Sequence, residues 1–148
     1  MDNARTTGSA PLAKLRLILD SIRFEHTIFA LPFAYLGMVL AAEGLPTLSQ
    51  LLWITVAMAS ARTLAMSANR IIDRHQDALN PRTASRPLPA GRLKLREMSA
   101  LAAFSLVALL VAAAMLNPLA LALAPVAAAM VVGYSYTKRF TWTSHFAL

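Results

Sequence analysis

The distribution of charge constrains this chain more than any other feature of its sequence. Four apolar runs, at about 24–42, 48–68, 98–116 and 119–136, are separated by short connections. A run of nineteen residues rising ~1.5 Å each nearly matches the ~30 Å hydrocarbon thickness of a bilayer. Thirteen of the fourteen Lys and Arg residues precede the first run, lie between the second and third, or follow the fourth. The connections after the first and third runs hold none. That asymmetry assigns the N-terminus, the 70–97 segment and the turn at Lys138-Arg139 to the cytoplasmic side of a membrane.

The hydrophobic fraction of 57% and the charged fraction of 14% exclude an ordinary soluble domain of 148 residues. A net charge of +7 would suggest nucleic acid in a soluble protein. Here the basic residues report topology, and no nucleic-acid partner is expected. The absence of cysteine excludes a disulfide framework and a thiolate metal site. Residues 1–23 read as a cytoplasmic segment. Leu12, Leu15, Leu19 and Ile22 recur there at helical spacing among Lys14, Arg16, Asp20 and Arg23, the pattern of an amphipathic helix lying on the bilayer surface. Residues 24–148 read as an all-α membrane bundle with four complete transmembrane helices. Trp142 and its neighbours read as the start of a fifth, so the chain is expected to be a truncated one. Asn80-Pro81 should end the second helix, Asn117-Pro118 should turn the chain between the third and fourth, and Pro32 and Pro125 should kink the first and fourth.

The second helix carries the chemistry. Asn69, Asp73 and Asp77 stand at i, i+4 and i+8, each turned ~40° from the one before, so their oxygens line one stripe. Counted from Leu48, Asn69 lies ~32 Å along the helix, near the cytoplasmic boundary. Carboxylates there are opposed by the helix dipole and by the lipid, and need a reason to be present. Neutralisation by Arg70 and Arg74 at a wet helix end is the plain alternative. A few hard oxygens suit Mg²⁺, which takes its remaining ligands from water and phosphate. Arg62, the one cation within a run, lies ~10 Å deeper and within ~20° of the same stripe, and is expected to face a polar cavity. The loop 80–92 sets Arg82 and Arg86 over the stripe, and Tyr134 and Lys138 form an i, i+4 pair at the same depth. Metal-binding oxygens, cations and a lipid-exposed bundle together suggest a lipid diphosphate as substrate.

The stretches 22–37, 62–91 and Tyr134-Ser135-Tyr136-Thr137-Lys138 resemble UbiA-superfamily prenyltransferases. The Asn-x-x-x-Asp-x-x-x-Asp motif with the loop Asn-Pro-Arg-Thr-Ala-Ser-Arg-Pro-Leu-Pro-Ala-Gly is similar in particular to the 4-hydroxybenzoate polyprenyltransferase branch. The resemblance implies a nine-helix bundle with two aspartate motifs facing each other across a central cavity. It also implies transfer of a polyprenyl group from polyprenyl diphosphate to a small aromatic acceptor, for quinone synthesis in a bacterial inner membrane or its mitochondrial equivalent. Asn69, Asp73 and Asp77 would then hold Mg²⁺ on the diphosphate. Lys138 and Tyr134 would bind the diphosphate, with Arg23 and Arg62 as weaker transfers. The second aspartate motif falls outside these 148 residues, so the chain alone is expected to be inactive. Rival readings are the same fold acting on a futalosine-pathway intermediate, haem, homogentisate or a chlorin, and a non-catalytic membrane fragment.

Overall fold

A computed structural model describes residues 10–23, 25–42 and 44–137. The described residues form five helices and no strand: α1 (Ala10–Ile22), α2 (Glu25–Ala41), α3 (Leu48–Leu79), α4 (Leu95–Leu116) and α5 (Pro118–Thr137). The expected fifth span around Trp142 lies outside the described residues, as do Phe24 and Lys138.

Three helices, α3, α4 and α5, are each long and apolar enough to cross a membrane. α2 has 17 residues and so reaches about 25 Å, a little short of the expected first span. It passes as a crossing only together with α1, to which it is bent by 60°. The 32 residues of α3 extend over ~48 Å, so one end of this helix must project beyond the hydrocarbon. That end carries the Asn69–Asp77 stripe.

The helix ends are set by local chemistry. Thr47 opens α3 with a reciprocal cap: its N–H donates to Gln50 Oε1 at 2.8 Å, and the Gln50 N–H donates to Thr47 Oγ1 at 3.2 Å. Asn80 closes α3 in an extended conformation, φ −95°, as expected of a residue before proline. Glu97 accepts the Lys94 N–H at 3.0 Å at the start of α4 and also pairs with Lys14, which ties α1 to α4. Asn117 stops α4 and caps α5, its side-chain oxygen accepting the Ala120 N–H at 2.7 Å. Pro32 and Pro125 lie inside α2 and α5, each removing one helical N–H.

α3 is the central helix and touches every other. Its buried face, Ser60, Leu64, Ser67 and Ala68, packs against α4, whose buried residues are Met98, Ser105, Leu109, Ala112 and Ala113. Small residues on both sides let two membrane helices approach closely where lipid offers no hydrophobic driving force. Leu64, Leu109 and Ala128 form the core where α3, α4 and α5 meet. On the other side, Thr55 Oγ1 donates to Leu51 O at 2.7 Å, so the 2.8 Å contact with Tyr35 has the phenol as donor and pins α2 to α3. Phe29, Phe33, Leu40, Phe104 and Met130 are exposed, as befits faces turned toward lipid.

Ala112 is 0% exposed, so Ala112→Leu forces several heavy atoms into a filled interface. The expected cost is roughly 1–3 kcal/mol, read as a lower melting temperature in detergent. Ala114→Leu, on the exposed face two residues on, should leave the melting temperature unchanged. Equal effects would contradict the α3–α4 packing described.

Candidate functional site

The site lies at the projecting end of α3 and is closed by the loop 80–94. The loop is wound on Asn80: its carbonyl accepts the N–H groups of Thr83 and Ala84, each at 2.9 Å, and its side chain accepts the Arg82 N–H at 3.0 Å. Further turns run from Thr83 O to Arg86 N–H and from Arg86 O to Ala90 N–H. Gly91, with φ 71°, takes the left-handed conformation open to glycine, and the buried Leu93 anchors the far end. The Arg-Pro-rich sequence therefore forms a folded cap over α3.

Asp73 and Asp77 are each 8% exposed, and Asn69 is half-buried, so the predicted stripe exists and faces protein. Asp77 is held from the cap: Arg86 Nη1 donates to Oδ1 and Oδ2, both at 2.8 Å. Arg70, only 6% exposed, sets its Nη1 3.9 Å from Asp77 Oδ2, an ion pair too long for a hydrogen bond. Its Nε donates to Ser21 O at 3.0 Å. That carbonyl is one of the last of α1 and has no helical partner of its own. Arg70 thus caps α1, a favourable place for a cation. The next residues are Ile22 and then Arg23, whose φ of 48° is uncommon outside glycine and whose N–H returns to Asp20 O at 3.2 Å. Arg23, Asp73, Asp77 and Arg86 all lie within electrostatic reach of Arg70.

The sequence-derived residues divide accordingly. Asp73, Asp77, Arg86 and Arg23 come together around Arg70, with Asn69 beside it in the chain and one turn before Asp73 on α3. Arg82 is exposed on the cap. Arg62 is half-buried, with its Nε enclosed and without a hydrogen-bond partner among the described residues, as suits a guanidinium turned toward an interior space. Tyr134 is half-buried near the end of α5, and Lys138 lies outside the described residues. In the sequence Arg70 reads only as a neutralising charge. Its separation of seven residues from Asp77 placed both on one face, and that signal was available; Ser21 and Thr83, which bind through a carbonyl and a hydroxyl, left none.

Among the described residues no three His, Cys, Asp or Glu side chains enclose a metal position. Two carboxylates and one amide oxygen on a single stripe do not make a complete cage. They fit a hard cation that keeps most of its shell as water and phosphate, which is the habit of Mg²⁺. Deeper in the bundle, an apolar recess of about 350 Å³ is lined by Leu64, Leu106, Leu110, Pro125, Ala128 and Val132. Leu64 precedes Asp73 by nine residues, so the recess begins ~14 Å below the acids.

The fold and site define a class: a helical membrane protein with a buried acidic stripe under an arginine-bearing cap. Comparison with known proteins makes this specific. The UbiA prenyltransferase family matches over residues 30–148. A 4-hydroxybenzoate octaprenyltransferase of Shewanella woodyi is 33% identical over 137 residues, covering 86% of this chain and 46% of that protein. A protoheme IX farnesyltransferase of Methylococcus capsulatus is 35% identical over 83 residues, covering 56% of this chain and 25% of that protein. The structure of a UbiA homolog from Aeropyrum pernix K1 superposes with a TM-score of 0.77 at 41% identity, covering 83% of this chain and 44% of that one. This chain is a member of the UbiA prenyltransferase family and an integral membrane protein. It spans less than half the length of the curated relatives it matches.

Proposed function

We propose that this chain supplies the first metal–diphosphate half of a prenyltransferase that moves a polyprenyl group from polyprenyl diphosphate to an aromatic acceptor resembling 4-hydroxybenzoate. The observation that carries this reading is the pair of buried aspartates on one stripe of α3, closed over by Arg86 from the cap. Buried acids at a membrane helix end are costly unless they are used. A basic cap beside them is suited to an anionic head group. Mg²⁺ bound at Asn69, Asp73 and Asp77 would neutralise charge developing on the diphosphate oxygens as the allylic C–O bond breaks. Arg86, Arg82, Arg23 and Arg62, with Lys138 and Tyr134, would hold the diphosphate at the bundle end. The apolar recess between α3, α4 and α5 would take part of the isoprenoid chain and keep water from the allylic cation. The electron-rich ring of the acceptor would then bond to carbon 1 of the chain and release its ring proton to solvent as aromaticity returns, the diphosphate having left with the electrons of the broken C–O bond.

The name of the Shewanella woodyi relative and its 86% coverage of this chain support the 4-hydroxybenzoate type, and with it a place in quinone synthesis. The Methylococcus capsulatus relative favours a haem acceptor as the second reading. On the first reading the site faces the cytoplasm across a bacterial inner membrane or its mitochondrial counterpart, with the N-terminus on the same side.

Retention of a radiolabelled prenyl diphosphate by the purified chain in detergent tests the site. Retention should require Mg²⁺ and be lost on chelation. Equal retention with and without the metal, or none in either case, would overturn the assignment.

A further inference from the structure

The bundle uses one face of α1 and leaves the other open. Lys14 pairs with Glu97 of α4. Ser21, seven residues on and 4% exposed, gives its carbonyl to Arg70 of α3. Residues seven apart share a face of a helix, so this is the docked face. Arg16 is turned roughly 160° from Lys14 and is exposed. On its side a groove of about 730 Å³ opens between α1 and the end of the cap, a size that suits a small organic ligand. Leu12, Leu15, Arg16, Leu19 and Asp20 line it from the helix, and Arg92 lines it from the cap. Leu12 and Leu15 are 63% and 52% exposed, so leucines open to the surroundings stand beside two guanidiniums. Arg92 gives one N–H to Ser85 O, out of the five that a guanidinium carries. No residue of the Asn69–Asp77 stripe is among those lining the groove.

We propose that this groove binds an anionic phospholipid of the surrounding membrane, its phosphate between Arg16 and Arg92 and its acyl chains along Leu12, Leu15 and Leu19. The lining chooses the occupant. A soluble phosphate would use the arginines and leave the leucines in water. A lipid without net charge would cover the leucines and leave the cations uncompensated. α1 turns away from α2 by 60°, and a helix that leaves a span with leucines beside cations belongs in the headgroup layer. Acidic lipids there attract each basic residue, and Asp20 moderates that attraction. The proposal stands apart from the function proposed above, because it uses none of the residues assigned there.

Native mass spectrometry of the purified chain tests this, with phosphatidylglycerol and phosphatidylcholine of the same acyl chains offered in detergent. The chain should retain phosphatidylglycerol over phosphatidylcholine by roughly tenfold. Arg16→Gln and Arg92→Gln should each cut that preference about fivefold, and Asp20→Asn should raise it. Arg92→Lys keeps the charge and should keep most of the preference, which separates the charge from the bond that Arg92 makes to the cap. Leu15→Ser should weaken retention of phosphatidylglycerol about fivefold. Arg96→Gln removes an exposed cation of α4 that does not line the groove and should change nothing. Equal retention of the two lipids by the unaltered chain would overturn the proposal. So would a loss in Arg96→Gln as large as that in Arg16→Gln, which would mean diffuse surface charge. Displacement of the lipid by glycerol phosphate would overturn it in favour of a soluble anion. Displacement by inorganic diphosphate with Mg²⁺ would make the groove part of the diphosphate site, overturning this inference while the proposed function stands.

Discussion

Asp73→Asn, placed in a fusion of this chain to the remaining half of the Shewanella woodyi relative, should lower prenyl transfer by roughly 10²–10³-fold or more. The substitution is nearly isosteric. It removes the negative charge that the proposed metal would need and leaves a group able to fill the same buried space, so membrane insertion and the amount of protein should be unchanged. Asp73 lies 8% exposed in the middle of the stripe, within electrostatic reach of Arg70. In a scaffold or a transporter half the same change would be harmless. Activity of Asp73→Asn close to that of the parent fusion would therefore remove the enzyme reading.

Much of this arrangement was legible in the sequence, and the reasons are specific. The bounds of α3 could be read because its apolar run opens at about Leu48 and Asn80-Pro81 prevents continuation; the Thr47–Gln50 cap that fixes the start is a finding of the structure. The stripe followed from the i, i+4, i+8 spacing of Asn69, Asp73 and Asp77, which any helix turns into a common face. The apolar runs located α4 and α5 to within a few residues. Two errors of extent have plain causes. α4 begins at Leu95 rather than near Met98, because Glu97 caps the Lys94 N–H and admits a charged first turn. α2, at 17 residues, is a little shorter than the run read for it, because periodicity cannot fix the ends of a segment apolar all round.

The pairing of Arg86 with Asp77 was not legible. It depends on the path of the cap, fixed by Asn80 and Thr83 through main-chain bonds that composition does not reveal. Sequence placed Arg82 and Arg86 alike over the stripe, but the loop turns one inward and leaves the other exposed. The reach of Arg70 to Ser21, 49 residues away, depends on how α1 docks, and no local pattern encodes that.

The second large effect concerns the chain by itself. Its seven acidic residues are Asp2, Asp20, Glu25, Glu43, Asp73, Asp77 and Glu97, and only Asp73 and Asp77 make an acidic pair at i, i+4 spacing. Stabilising the departing diphosphate calls for positive charge arranged on more than one side of it, and a single stripe of α3 with its cap offers one side. The 148 residues alone should bind a metal–diphosphate probe and yet give no transfer above background, a complete loss relative to the fusion. Turnover by the chain alone would show that one acidic stripe suffices.

The proposed function requires that this chain carry a working first half of a metal-dependent prenyl-transfer site. The most direct measurement is the transfer of a radiolabelled polyprenyl group to 4-hydroxybenzoate in membranes containing the fusion, with Mg²⁺ present and then chelated. Product should form only in the fusion with intact Asp73, and only with Mg²⁺. Product that persists after chelation, or no product from a fusion shown to be inserted and folded, would contradict it.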